Sequence, residues 1–445
     1  MSEGNRGLSL AVLGAGYVGL ITSACLAQLG RRVVCIDRDG PRIRGLERGV
    51  MPFHEPGLEE SVHSGAGSGR LTFSTRLEAA HGAVAILVAV GTLDEQGDWT
   101  ARFVEAALAE ILADPAAPRT IVIRSTLMPG TTARLSEMAR AIDPEFEICF
   151  NPEFTRQGCA IADFLGPDRV VIGTTRTAAE SRAVDILIDA YAGVRAPMIV
   201  TDAASAELIK VGANVFLGMK VGFANELARL SAAAGADISA VVDGIGLDPR
   251  IDRRYLSPGP GFGGSCLPSQ ARALPEFARS LEVDTPIIDA IAGSNSAQAQ
   301  WVVDRVERET GDLHGRLVGM LGLTFKAGTD DTRESPAVAI AELLVRRGAH
   351  VVAHDPKAVG VPFGKGMPLA AAVSRVDDPA DVACDADAIV IATDWPEYRG
   401  LDWHAMARVM RGRVVVDARA AADAVAAGDA GLRLFIHGRE AGHNA

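Results

Sequence analysis

Short apolar runs alternate with longer helix-period stretches along most of this chain. Residues 8–13 form an apolar run closed by Gly14, and residues 33–36 form a second closed by Asp37. The stretch 17–29 between them has helical character, so the opening segment predicts strand, helix, strand. Further buried-strand runs fall at 84–90, 120–124, 148–150 and 170–172, with helical stretches such as 101–112 and 132–141 among them. Apolar runs of this length that alternate with helices predict a parallel sheet covered on both faces. Near residue 200 the pattern changes. Ala203–Ala234 keeps a helical period without a proline. It is too long for a surface helix of an α/β layer and reads as a connector. Strand runs return at Leu317–Leu321, 351–353, 388–392 and Val414–Asp417, with a helix at 337–347. The expected class is α/β, with two Rossmann-like doubly wound domains joined by a long central helix and a helical middle domain. The expected boundaries are 1–200, 201–305 and 306–445.

Composition narrows the partners. The chain has 445 residues, 48% of them hydrophobic and 22% charged, which suits about three cored domains and excludes general disorder. The formal net charge of −12 gives no support to binding of nucleic acid or an anionic membrane. An anionic ligand would therefore be held locally, by helix N-termini or single basic side chains. None of the six cysteines sits in a CxxC pair, so neither a disulfide framework nor a structural metal is expected, and reduced thiols in a cytoplasm are the default. The apolar stretch 8–29 approaches the length of a membrane span, but Gly14, Gly16 and Gly19 interrupt it and Gly30 follows.

The candidate chemistry lies in a few segments. Gly14-Ala15-Gly16-Tyr17-Val18-Gly19 follows a predicted strand and opens a predicted helix, and Asp37 ends the next strand. Such glycines allow a tight turn and close approach of backbone to a pyrophosphate, whose charge the helix N-terminus favours. Asp37 can accept from ribose hydroxyls and would repel a 2′-phosphate, so NAD is expected over NADP, with neighbouring Arg38 working the other way. The alternative is a glycine turn that only packs helix on sheet. Lys210 and Asn214 lie four apart on the long helix with Gly218 a turn further, which suggests a polar pocket, or a lysine reaching out at a domain seam. The loop 258–266, Pro-Gly-Pro-Gly-Phe-Gly-Gly-Ser-Cys, ends in Cys266 where a helix is expected to begin, a position that favours a nucleophilic thiolate. A buried cysteine behind a flexible loop is the plainer reading. Asn151-Pro152-Glu153-Phe154, Asp248-Pro249-Arg250-Ile251 and residues 325–335 could be sites or solvated turns.

Taken together these segments resemble the UDP-glucose/GDP-mannose 6-dehydrogenase family. The ordered matches run from Gly14 to Arg419 and include Val90–Thr92, Arg124–Thr126, His354–Pro356 and Thr393–Trp395. Cys266-Leu267-Pro268 and Ser294-Asn295-Ser296 look closer to the GDP-mannose branch. The resemblance implies oxidation of the C6 alcohol of a nucleotide sugar to a carboxylate with two NAD+, through a cysteine thiohemiacetal and thioester. It casts Cys266 as nucleophile, Lys210 and Asn214 as holders of the C6 oxygen, Glu153 as general acid/base and Thr126 as a water-positioning residue. It puts Gly14, Gly16, Tyr17, Val18, Gly19, Asp37, Arg38, Thr92, Thr126 and Arg333 at the cofactor. It puts Phe154, Lys210, Asn214, Arg250, Tyr255, Gly263, Lys326 and Arg419 at the nucleotide sugar, with Arg250 reaching a neighbouring subunit. A homo-oligomer, dimeric through the central helix, is implied.

Two departures stand out. Gln270 replaces the family's aspartate four residues after the cysteine, and Gln157 replaces an acid after Asn-Pro-Glu-Phe. They open two further readings, an altered dehydrogenase that stops short of the acid or takes an unusual sugar, and a nucleotide-binding scaffold without turnover.

Overall fold

The computed structural model describes residues 7–358 and 373–439. Its contacts divide the chain into two compact units, 1–213 and 214–445, whose boundary falls inside one continuous helix.

The first unit contains β1 (Ser9–Leu13), α1 (Tyr17–Gln28), β2 (Arg32–Ile36), α2 (Gly40–Glu47), α3 (Leu58–Gly67), β3 (Leu71–Ser74) and β4 (Ala85–Val88). It continues with α4 (Arg102–Ala113), β5 (Thr120–Ile123), α5 (Thr131–Ile142), β6 (Glu147–Phe150), α6 (Ala160–Leu165), β7 (Val170–Thr174), α7 (Arg182–Ala190) and β8 (Met198–Asp202). The eight strands lie in the order β3-β2-β1-β4-β5-β6-β7-β8. The central strands β4, β5 and β6 are buried throughout, as continuous apolar runs in a doubly covered sheet should be. Pairing is parallel except between β6 and β7, where the chain turns back on itself. Core clusters sit on both faces, one around Leu20, Leu26 and Cys149 and the other around Ile86, Leu108 and Phe146. The membrane-length stretch 8–29 is accordingly a strand, a glycine turn and a buried helix. No helix among the described residues is long and apolar enough to cross a membrane.

From β8 the chain enters α8 (Ala203–Ala234), whose 32 residues carry it into the second unit. There follow α9 (Ile238–Gly246), α10 (Leu267–Ser280), α11 (Pro286–Thr310), β9 (Leu317–Leu321), α12 (Pro336–Arg346), β10 (His350–His354) and β11 (Val373–Arg375). The unit ends with β12 (Ala388–Ile391), α13 (Trp403–Val409), β13 (Val414–Asp417), α14 (Ala424–Asp429) and β14 (Arg433–Ile436). Its six parallel strands run β11-β10-β9-β12-β13-β14, the order of the first six strands of the other sheet.

The likeness extends to the first strand–helix turn. In the first unit Gly14 N–H donates to Ile36 O at 2.7 Å and Ala15 N–H to Asp37 Oδ2 at 2.7 Å. In the second, Gly322 N–H donates to His354 O at 2.8 Å and Leu323 N–H to Asp355 Oδ2 at 2.7 Å. In both cases an aspartate ending the second strand pins the turn after the first. Both sheets thus have the doubly wound order in which ligands gather at the carboxyl ends of the strands.

Candidate functional site

In the first unit the glycines of the opening turn have separate physical tasks. Gly14 adopts φ +107°, and a Cβ there would lie 2.5 Å from the Ala89 carbonyl oxygen. A Cβ on Gly19 would lie 1.8 Å from the Gly14 carbonyl oxygen. The fold itself demands these two. Gly16 is different, because a Cβ there meets nothing within 4 Å and its φ of −75° suits any residue. It is also the N-cap of α1, and no side chain caps that helix. An uncapped twelve-residue helix behind an open glycine is a fit for the pyrophosphate of NAD, held by the free backbone N–H groups.

Asp37 is already partly engaged. Its carboxylate accepts from Ala15 N–H, from Asp39 N–H at 2.9 Å and from the Arg42 guanidinium at 3.2 Å. Arg42, which the sequence reading did not single out, is thus the cation beside this acid, whereas Arg38 is exposed. Tyr17 donates from its hydroxyl to Glu55 at 2.6 Å, and Glu55 also accepts from Gly158 and Ala160 N–H at 2.7 Å each. Burial and the Glu55 carboxylate raise the Tyr17 phenol, so it stays a donor. Val18 packs against the core, Thr92 O accepts from Thr100 N–H, and Thr126 O accepts from Trp99 Nε1 at 3.0 Å.

Glu153 and Lys210 form a buried ion pair, with Nζ to Oε1 at 3.0 Å and side-chain exposures of 9% and 3%. The second Glu153 oxygen accepts from Thr155 N–H at 2.7 Å and Oγ1 at 2.6 Å. Burial works to raise this carboxyl, but Lys210 and Thr155 outweigh it and hold it below the ordinary carboxylate range. Glu153 is therefore an ionised acceptor engaged at both oxygens. Phe154 lies between two cations, with the Lys210 ammonium 5.2 Å and the Arg169 guanidinium 3.8 Å from its ring. Glu207, one turn before Lys210, is fully buried and accepts from Gly130 N–H, Thr132 N–H and Thr132 Oγ1 at 2.6–2.7 Å. It caps α5 from outside that helix and so sets the start of α8.

In the second unit the glycine loop and the segment after β9 are brought together. Gly264 N–H donates to Arg333 O at 3.0 Å, and a Cβ on Gly263 would lie 2.5 Å from Glu334 O. Cys266, exposed, is the N-cap of α10 and has no capping side chain behind it. Arg333 is close enough to interact electrostatically with it. One turn along, Gln270 is buried and its Oε1 accepts from Asn214 Nδ2 at 3.0 Å. Arg419 donates to Phe325 O at 3.0 Å and to Ala392 O at 3.2 Å, and its guanidinium fills the space a Cβ on Gly259 would need. Lys326 lies 5.7 Å from the Phe325 ring. Arg419, Lys326, Arg333, Gly263 and Cys266 thus belong to one neighbourhood within this unit. Arg250 does not share these contacts. Its guanidinium is 86% exposed and pairs with Asp248 two residues away, and Tyr255 lies half-buried at φ +65°. No group of three or more metal-ligating side chains occurs among the described residues.

Two outcomes follow. Gly16→Ala is expected to leave the melting temperature unchanged but to weaken NAD binding by at least about tenfold, the equivalent of roughly 1.4 kcal/mol. Calorimetric titration checks this, and unchanged affinity would show that no phosphate approaches Gly16. The second concerns pH. Because the Glu153 carboxyl lies lower in the folded chain than unfolded, its ion-pair stabilisation is complete above the ordinary carboxylate range. It is lost as pH falls through the depressed folded value. Glu153→Gln should abolish that part of the acid limb and cost about 3–5 kcal/mol at neutral pH by stranding the Lys210 charge. Urea unfolding of both proteins from neutral pH down to about pH 3 measures it.

Family models for the UDP-glucose/GDP-mannose dehydrogenase family match residues 8–191 (NAD binding domain), 204–297 (central domain) and 319–424 (UDP binding domain). A UDP-glucose 6-dehydrogenase of Rhizobium meliloti is 37% identical over 421 residues, 93% of this chain and 95% of that protein. The structure of a UDP-glucose dehydrogenase from Pyrobaculum islandicum superposes with a TM-score of 0.85 at 40% identity, covering 95% of this chain and 98% of that one. The UDP-D-ManNAc dehydrogenase structure from Pyrococcus horikoshii gives 0.84 at 26% identity, covering 97% and 99%. With an NAD-shaped turn in the first unit, a second doubly wound sheet behind the cysteine loop and relatives matched over nearly their whole length, this chain belongs to the UDP-glucose/GDP-mannose dehydrogenase family.

Proposed function

We propose that this protein oxidises the C6 alcohol of a UDP-linked hexose, UDP-glucose or a close analogue, to the uronic acid in two NAD-dependent steps through Cys266. The observation that carries the reading is Cys266 at the uncapped start of α10, on a loop packed against Arg333 and Arg419. The names of the relatives and the match to a UDP binding domain favour uridine over guanosine.

NAD, when bound, supplies the hydride acceptor. Lys210 and Asn214, one turn apart on α8, are the donors for the C6 oxygen, and charge developing there is stabilised by groups already oriented. The Lys210 ammonium is held by Glu153, and the Asn214 amide by Gln270. The first hydride leaves C6 as its hydroxyl passes a proton to solvent, giving the aldehyde. The Cys266 thiolate then adds to the aldehyde carbon, forming a C–S bond while the oxygen takes the charge. Loss of the second hydride leaves a thioester. Water cleaves it, releasing the acid and restoring the thiol.

Gln270 favours a second, narrower reading. A buried amide cannot take a proton near neutral pH, so no carboxylate at this position activates water and the thioester should be long-lived. Oligomer formation rests on a separate observation. Leu208, Phe216, Phe223 and Leu230 are 51%, 56%, 49% and 64% exposed on α8 at spacings of eight, seven and seven residues. That is an apolar stripe of coiled-coil period, suited to a second copy of the helix.

Steady-state NADH yield from UDP-glucose is expected to be two per sugar, and Cys266→Ser should form no acid while still binding both ligands. Intact-mass measurement during turnover should show an adduct on Cys266, and Gln270→Asp should raise turnover by roughly 10- to 1000-fold. Absence of the adduct together with no gain from Gln270→Asp would refute slow hydrolysis, and acid formation by Cys266→Ser would refute the covalent route. Phe223→Glu should convert the dimer to monomer in analytical ultracentrifugation, and a wild-type monomer would exclude the stripe as an interface.

A further inference from the structure

Behind the glycine loop lies a set of buried polar side chains that the reaction above does not use. Gly259 N–H donates to Asn225 Oδ1 at 2.7 Å, and Gly259 O accepts from Gln298 Nε2 at 2.8 Å. Asn225 on α8 and Gln298 on α11 are 1% and 0% exposed. The same Gln298 Nε2 lies 2.8 Å from His437 Nε2, just past β14, and the Arg229 guanidinium donates to Gln298 Oε1 at 2.6 Å. Further along the loop, Asn295 accepts from Phe262 N–H at 2.8 Å and donates to Phe262 O at 2.9 Å.

The hydrogen-bond directions in this set are forced. A guanidinium only donates, so Gln298 must turn its oxygen to Arg229 and its NH2 group to Gly259 and His437. His437 Nε2 then accepts, which makes the ring neutral with its proton on Nδ1. Burial and the Arg229 charge act in the same direction, pushing the imidazole down to about 3. The ring is further clamped by Trp301, with centroids 4.5 Å apart. The backbone of His437 donates to Asp417 O at 3.0 Å, and Asp417 accepts from Arg419 N–H at 2.9 Å. One side of the set therefore holds the loop that leads to Cys266, and the other holds the turn that carries Arg419.

The set has a cost. His437 Nδ1 and Asn225 Nδ2 are buried without a hydrogen-bond partner. An apolar core would pack the same space without stranding donors, so the arrangement calls for a role beyond packing. We propose that Arg229, Gln298 and His437 are positioning residues, a one-way hydrogen-bond relay that fixes the Gly259 peptide and so sets the reach of Cys266 relative to Arg419.

This inference rests on Cys266 acting as proposed, and its test is chosen to separate the two. Gln298→Leu and His437→Leu should lower kcat by roughly 10- to 100-fold, the scale of a misplacement of about 1 Å, with KM for NAD+ held within about threefold. His437→Gln, whose oxygen can stand where Nε2 accepts, should restore most of the loss. Hydrogen exchange of the peptide spanning residues 258–265 should accelerate in both leucine variants and return toward wild type in His437→Gln. The relay is overturned if folded leucine variants keep wild-type kcat and loop exchange, or if His437→Gln is as impaired as His437→Leu. Should the leucine variants fail to fold, Arg229→Met decides the matter, because Arg229 is 27% exposed and frees the Gln298 amide without opening the core. Unchanged loop exchange and turnover in Arg229→Met would likewise overturn the relay. If no nucleotide sugar yields NADH, the mechanism fails while loop exchange still reads the relay.

Discussion

A charged or strongly polar group buried in a helix must find its partner within reach, and α8 is built around that requirement. Glu207, Lys210 and Asn214 follow one another at spacings of three and four residues, so they lie along one face of the helix. Each is matched within its own unit: Glu207 by the start of α5, Lys210 by Glu153 and Asn214 by Gln270. Further along, Asn225 and Arg229 are again four apart, and each meets the apparatus of the glycine loop. Shifting the helix by a single residue would strand two charges and several donors at once. Within each unit, the cost of an unmatched buried charge or donor keeps its part of the helix in register.

The two doubly wound sheets show one backbone device put to different ends. In each, an aspartate at the end of the second strand pins the first turn. In the first unit the turn beyond it is open at Gly16, and the helix behind has unused N–H groups. In the second, Leu323, Thr324 and Phe325 stand in that stretch, and Asp355 also accepts from Thr324 and Trp395 Nε1 on the same oxygen. Lys357 and Ala358 N–H take its other oxygen. A carboxylate so fully engaged has little capacity left for ribose hydroxyls. The same strand order therefore carries a dinucleotide turn in one unit and not in the other, and the difference is one of side chains rather than topology.

Much of this was legible in the sequence, because apolar runs and glycines report local requirements. The strands at Leu317–Leu321 and Val414–Asp417 and the whole of Ala203–Ala234 stand where their apolar period put them. The edge strands β3, β8, β11 and β14 were not visible, since half-exposed edges lack the continuous apolar run of a central strand. The spacing from Gly14 to Asp37 marked a nucleotide turn, but not that Gly14 and Gly19 serve the fold while Gly16 leaves room for a ligand. Glu207 left a trace, an acid on an otherwise apolar helical stretch. Glu55, Gln298 and His437 left none, because their partners lie far away in sequence.

By itself, then, the sequence determined the fold class and the cofactor, because local periodicity and residue chemistry suffice for each. Only the tertiary structure decided protonation and direction. Glu153 is held as a carboxylate because the fold buries it against Lys210 and Thr155. Gln298 faces one way because Arg229 reaches it from another helix. Gln270 is an amide in any reading of the chain, but that its oxygen is turned to Asn214 follows from the packing of α10 on α8. Such choices depend on which groups meet across long stretches of chain, and no local pattern carries that information.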